Sequence, residues 1–282
     1  MAREYVGRSG YASREIEACN SVLLELSHIL GEFRDSMVLV GGGVPPLLMP
    51  EVAVQHCGTA DIDLALNIDE QPADTYSRFR ETLLRHGYAE GEQPYIFFRD
   101  VPTGDGDSIL VEVDFLAAEY GGTGKSHRTQ HFDDARPRKA RGCDLAFTDY
   151  LEIEVKGTLP EGGQDSQTIK ICNVASFLVM KSIALNDRLK PKDAYDIYFV
   201  ISKYDGGVEA IAEKLRPIMS NALVREALGY LRKGFESVDH FGPGMVSDFE
   251  EIDDPEEIAR VRRDAFERVN HLLAALDIVS DL

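Results

Sequence analysis

The sequence predicts an α/β fold: a small mixed β-sheet with flanking helices, followed by a mainly helical C-terminal region. Three observations predict it. Short β-prone runs cluster between Met37 and Cys172. Apolar residues at helical spacing recur before and between those runs. From Asn173 onward only the helical spacing remains. With 282 residues, 44% of them hydrophobic, the chain can bury one large core or two adjoining ones.

Residues 14–33 place Ile16, Cys19, Val22, Leu23, Leu26, Ile29, Leu30 and Phe33 on one helical face. MVLV (37–40) is a short buried strand running into a glycine triplet, so VLVGGGVPPLL (38–48) reads as strand, turn and Pro-started helix. GTADIDLAL (58–66) is the next strand, and a helix over 72–86 closes at Gly87. YIFFRDV (95–101) and ILVEVDFLA (109–117) flank the turn-rich PTGDGDS, which predicts a hairpin. LEIEV (151–155) and TIKIC (168–172) are two more strands around a Gly/Pro loop. A late helix start is marked by Asp254 as N-cap, Pro255 at the first helical position, and Glu256 and Glu257 in the first turn. There is no internal repeat and no low-complexity segment.

The formal charge is −19, which disfavours non-specific attachment to nucleic acid or anionic lipid. It leaves room for a nucleic-acid substrate held by a local basic patch. Seven acids fall between 248 and 257. Between 128 and 141, Arg128, Arg136, Arg138, Lys139 and Arg141 exceed Asp133 and Asp134 by three charges. That run either guides a phosphodiester substrate or is a solvated loop. No run approaches the roughly 18 apolar residues of a membrane span. The opening MAREYVGRSG lacks the apolar core of a signal peptide. Cys19, Cys57, Cys143 and Cys172 form no CxxC pair and are expected as reduced thiols in a cytoplasmic protein.

The chemistry-bearing feature is a set of carboxylates on strands. Asp61 and Asp63 sit two apart, so both point to one face while Ile62, Leu64 and Leu66 take the other. In ILVEVDFLA, Ile109, Val111, Val113 and Phe115 share one face, and Leu110, Glu112, Asp114 and Leu116 the other. Like charges side by side repel, and burying them is costly. A bound dication resolves both difficulties, and an all-oxygen set suits Mg²⁺, with Mn²⁺ as the alternative ion. The competing reading is a strand end with solvated charges. Gly41, Gly42 and Gly43 either let backbone N–H groups approach phosphates or simply make a tight strand-to-helix turn.

Lys181 lies in a helix among Phe177, Leu178, Met180, Ile183, Ala184 and Leu185, so it either snorkels to the surface or meets an anion. Asp193 falls in the first turn after Pro191, where a carboxylate also suits the helix dipole; Asp196 caps, or pairs with Lys192 or Arg188. GGTGKS (121–126) is not a P-loop, because Glu119 stands where the first glycine belongs and HRTQHFDDARPR has no helical periodicity. His127 and His131 with Asp133 are expected to be solvated loop residues rather than a metal site.

The pair Gly41-Gly42, the run Thr-x-Asp-Ile-Asp at 59–63 and the later Asp114 resemble the signature of the DNA polymerase beta-type nucleotidyltransferase superfamily. ASFLVMKSIALNDRLKPKDAYDIYFVISK (175–203) resembles the Lys … Arg … Lys-Asp-x-Tyr-Asp block of AbiEii/AbiGii-type nucleotidyltransferases, toxins of abortive-infection and toxin–antitoxin systems. The likeness covers residues 37 to 201. It departs from the pattern at Cys57, where many members have arginine, and at Gly42, where many have a phosphate-binding serine.

The resemblance implies a nucleotidyltransferase core over 1–165 and a mainly helical domain over 166–282 that closes the nucleotide cleft. It further implies that Asp61, Asp63 and Asp114 hold Mg²⁺, and that Gly41, Gly42, Gly43 and Thr59 contact a nucleoside triphosphate. Lys181 is then a phosphate ligand and Asp193 its acidic partner. The implied reaction is attack of an acceptor hydroxyl on the α-phosphate with loss of pyrophosphate. The implied acceptor is RNA, a tRNA 3′ end, and the implied protein partner is a cognate antitoxin. No membrane partner is expected. The alternatives are nucleotidylation of a protein or of a small molecule such as an antibiotic, and a catalytically silent nucleotide-binding regulator.

Overall fold

A computed structural model describes residues 7–67, 75–104, 106–118 and 137–278. The chain divides into two compact units: Ala12–Leu47 with Gly58–Asn173, and Met1–Tyr11 with Leu48–Cys57 and Val174–Leu282.

The first unit is built on one mixed sheet. In chain order it comprises α1 (Ser13–Ile29), β1 (Met37–Val40), a 3₁₀ turn at Gly41–Gly43 opening α2 (Val44–Leu48), β2 (Asp61–Leu66), α3 (Thr75–Arg85), β3 (Ala89–Glu90), β4 (Ile96–Pro102), β5 (Ser108–Ala118), β6 (Arg138–Ala140), β7 (Tyr150–Thr158) and β8 (Gln164–Cys172). The strand order is β3-β4-β5-β2-β1-β8-β7, with β6 pairing β5 off that path. β1 runs antiparallel to β2, and β2 parallel to β5, so the two central acidic strands are direct neighbours.

Strand alternation sorts the sheet into two faces. Ile62, Leu64, Val111, Val113 and Phe115 are buried together with Phe97. Phe79 of α3 meets Phe115 edge-on at 4.7 Å, and Phe97 meets it at 5.6 Å, which fixes α3 on this face. On the same side, Glu25 of α1 accepts from Arg99 Nε (2.9 Å), Arg99 Nη2 (3.0 Å) and the Tyr88 hydroxyl (2.8 Å). Burial alone would penalise both charges; the bidentate geometry and the tyrosine satisfy them.

The second unit holds α4 (Val174–Arg188), α5 (Pro191–Lys203), α6 (Gly207–Leu215), α7 (Ala222–Gly234), α8 (Phe241–Phe249) and α9 (Pro255–Ala275). Tyr195 is fully buried, its ring 4.6 Å from that of Phe249. Asp254 caps α9 by accepting from Glu257 N at 2.8 Å, with Pro255 at the first turn as the sequence predicts.

The α/β class is therefore observed, and the strands predicted at 37–40, 58–66, 95–101 and 109–117 are found at Met37–Val40, Asp61–Leu66, Ile96–Pro102 and Ser108–Ala118. The helix predicted over 14–33 stops at Ile29, and 3₁₀ turns carry the chain on to Ser36. α3 ends before Gly87, whose φ of +83° a side chain rarely adopts; residues 72–74 lie outside the described ones. β7 and β8 are each nine residues, longer than predicted, because they pair with each other along their whole length. The three-residue β6 has no signal in the sequence: RKA carries no alternation and exists as a strand only through β5. None of the four cysteines, all buried, is in a disulfide. No helix among the described residues is long and apolar enough to cross a membrane.

Replacing Glu25 by Ala leaves Arg99 buried beside a single exposed carboxylate, Glu161. Urea denaturation is expected to show a loss of about 3 kcal/mol, the cost of breaking a buried ion pair from one side.

Candidate functional site

On the face of the sheet away from Phe115, β2 and β5 place four acids in two facing rows. Asp63 stands opposite Asp114, and Asp61 opposite Glu112. Parallel strands in register send opposed side chains to the same face, so Asp61, Asp63 and Asp114 share the face that alternation predicts. Asp61 is exposed, Asp63 half-buried and Asp114 buried at 6% exposure. Asp114 is raised to about 6, first by burial, with Arg138 opposing the rise and the Glu112 and Asp61 charges adding to it.

The three carboxylates are neighbours in register but are not gathered around one point. Among the described residues no three His, Cys, Asp or Glu side chains form a closed metal cluster. Arg138 Nη1 donates to Asp114 Oδ2 at 3.2 Å, while Asp114 Oδ1 is buried with no hydrogen-bond partner. A buried carboxylate oxygen with no donor, in an all-oxygen set, suits a hard divalent cation.

Gly41 stands beneath this row. Its φ is +72°, and a Cβ there would overlap the Asp63 carboxylate. Thr59 Oγ1 donates to Asp61 Oδ1 just before β2. The Pro-started helix after the glycines has only five residues, beginning at Val44 with Pro45 second. So short a helix has little macrodipole, and the turn's distinctive property is instead the close approach of Gly41 backbone to Asp63. Gly42 and Gly43 complete the 3₁₀ turn.

Lys181 and Asp193 come together within the helical unit. Lys181 is buried, its ammonium 2.9 Å from Asp193 Oδ1 and 2.7 Å from Asp196 Oδ2. Arg188 donates to both Asp193 oxygens at 2.7 and 2.8 Å, and Lys192 pairs with Asp196. Burial would raise both carboxyls, but Lys181 and the other cations hold them below their usual range. His56 Nε2 lies 3.0 Å from Asp196 Oδ1, and its ring stacks on Tyr195 at 5.5 Å. Burial first, then Lys192, lowers His56 to about 4, so at neutral pH the ring is uncharged and donates through Nε2–H.

His56 and the dual role of Asp196 have no signature in the sequence, since the two residues meet across 140 positions. Glu112 lies on the face that alternation predicts, opposite Asp61. Of the basic run, Arg138 is placed on Asp114, whereas Arg128, Arg136, Asp133 and Asp134 lie outside the described residues, as do GGTGKS, His127 and His131.

Two outcomes follow from this geometry. Gly41→Ala is expected to cost about 1–3 kcal/mol in chemical denaturation, because it adds a strained φ and displaces Asp63. For His56, lowered to about 4, the unfolded chain binds the extra proton between roughly pH 6.5 and 4. Stability therefore falls as pH drops through that window, by at most about 1.4 kcal/mol per unit. Asp114, raised to about 6, contributes the opposite slope over much of the same window, so the His56 contribution is read as a difference. In thermal melts from pH 7.5 to 4 the stability gap between wild type and His56→Gln should narrow as pH falls.

The family described as "Nucleotidyl transferase AbiEii toxin, Type IV TA system" matches residues 26–275. A solved structure that matches is an antigenic nucleotidyltransferase-like protein from Paracoccidioides brasiliensis, at 17% identity and a TM-score of 0.46, over 78% of this chain and 88% of that one. No curated protein matches the chain. The chain thus belongs to the AbiEii nucleotidyl transferase toxin family of type IV toxin–antitoxin systems, and is a nucleotidyltransferase.

Proposed function

We propose that this nucleotidyltransferase moves a nucleoside monophosphate from a triphosphate to the hydroxyl of a tRNA 3′ end, releasing pyrophosphate, with Mg²⁺ (or Mn²⁺) held by Asp61, Asp63 and Asp114. The observation that carries the reading is the registered Asp63–Asp114 pair beside Gly41, with one buried oxygen of Asp114 lacking a donor. When bound, the ion supplies positive charge to the phosphate oxygens in an in-line displacement. Asp61 and Asp63 would hold the ion against which the triphosphate sits, and Thr59 steadies Asp61. The Gly41–Gly43 backbone leaves room for a phosphate where side chains would intrude. Asp114 orients the acceptor hydroxyl. Family membership supports a toxin with a cognate antitoxin, and we take its target to be tRNA.

For Lys181 and Asp193 we propose a part in triphosphate binding. Lys181→Met is then expected to weaken binding of each triphosphate in the folded protein. A loss of stability with binding intact would confine both residues to holding the helical unit together.

The reaction is tested by incubating the protein with Mg²⁺, each labelled triphosphate in turn, and total tRNA or cell extract. Label is expected in RNA; label in protein or small molecules would assign a different acceptor, and binding without pyrophosphate release would make the chain a regulator. Asp63→Asn is expected to lower transfer roughly 10³-fold, the scale of losing several kcal/mol of charge stabilisation. Retained activity in that variant would remove the carboxylate site from the mechanism.

A further inference from the structure

Two arginines of the sheet unit are bound to buried carboxylates in different ways. Arg99 is as buried as Glu25 (side chains 9% and 11% exposed) and grips both its oxygens. Arg138 is half exposed at 50%, touches Asp114 with one nitrogen at 3.2 Å, and leaves Oδ1 without a donor, although the Asp114 side chain is only 9% exposed. A guanidinium that locks a buried carboxylate uses its planar fork on both oxygens. The Arg138 contact is a single, solvent-accessible one, of the class that contributes little to stability and exchanges readily.

Its position explains what it could exchange for. β6 runs parallel to β5 with Arg138 opposite Leu116, two residues beyond Asp114 and on the same face. The guanidinium therefore reaches back toward the acidic rows from the sheet residue next along. Asp63, opposite Asp114, and Asp61, opposite Glu112, complete the acid set it faces.

We propose that Arg138 is an exchangeable counter-ion of the carboxylate site: it neutralises Asp114 in the metal-free protein, leaves when a divalent cation binds, and then serves a phosphate of the nucleoside triphosphate. This rests on the metal-dependent reading of the previous subsection. A cation on Asp114 repels the guanidinium and removes its partner. The released fork of N–H donors matches phosphate oxygens bound to that same cation. Arg138 is thus a competitor of the metal in the free protein and a ligand of the nucleotide in the loaded one, opposite effects that a structural role would not produce.

The test measures Mn²⁺ binding to the full chain by electron paramagnetic resonance, first alone and then with α,β-methylene triphosphates of the four bases. Arg138→Gln is expected to bind Mn²⁺ alone roughly fivefold more tightly than wild type, and to bind the Mn²⁺–triphosphate analogue at least fivefold more weakly. Arg138→Lys, which keeps the charge without the fork, is expected to match wild type for Mn²⁺ and to fall between the two for the analogue. It serves if the glutamine variant fails to fold by circular dichroism. Unchanged or weaker Mn²⁺ binding in Arg138→Gln, or unchanged analogue binding in both variants, overturns the exchange. Asp63→Asn separates the two readings: if it retains Mn²⁺ binding, the metal site itself is wrong. If it loses Mn²⁺ while Arg138→Gln behaves as wild type, only the role of Arg138 fails.

Discussion

Two rows of like charge, held in register by the parallel pairing of β2 and β5, are the constraint on which the site depends. A sheet gains nothing from setting Asp63 against Asp114 and Asp61 against Glu112. The opposite face supplies the compensation. Ile62, Leu64, Val113 and Phe115 are buried under α1 and α3, and the aromatic contacts of Phe79, Phe97 and Phe115 hold the register. Sliding either strand by one residue would bring the acids into that core, so apolar packing on one face enforces electrostatic conflict on the other.

Three buried charge clusters among the described residues differ in how completely they are satisfied. Glu25, Arg99 and Tyr88 form a closed set, with each carboxylate oxygen engaged. In the helical unit, Asp193 and Asp196 are each held by two cations, and His56 adds a neutral donor. The first set is fully hydrogen-bonded; in the second, Asp196 Oδ2 accepts no hydrogen bond but lies 2.7 Å from the buried Lys181 ammonium, so the charges are matched by cations of the same network. The Asp114 set is open, with a carboxyl raised by burial and an oxygen without a donor. Unsatisfied buried groups of this kind mark places where a ligand completes the structure.

The connection between β1 and β2 links these ideas along the chain. It begins with Gly41, whose missing side chain is what permits Asp63 to lie where it does. It then contributes Leu48–Cys57 to the helical unit, where His56 meets Asp196, before Thr59 returns to steady Asp61. The glycine turn and the aspartate pair are therefore one local feature, bound by sterics, while the intervening segment answers to the packing of the helices.

The sequence by itself determined the element types, the face on which each acid lies and the family. Period-two alternation in DIDLAL and ILVEVDFL, helical spacing after Asn173 and the Asp254-Pro255 start are all local physics, readable without coordinates. Tertiary structure alone decided which residues meet. The Asp63–Asp114 register, β6 as a strand, the seat of Arg138 on Asp114 and the His56–Asp196 contact all join positions far apart in the chain. Such contacts are chosen by the burial of the whole core rather than by the propensity of any segment, and that is why short-range patterns carry no trace of them.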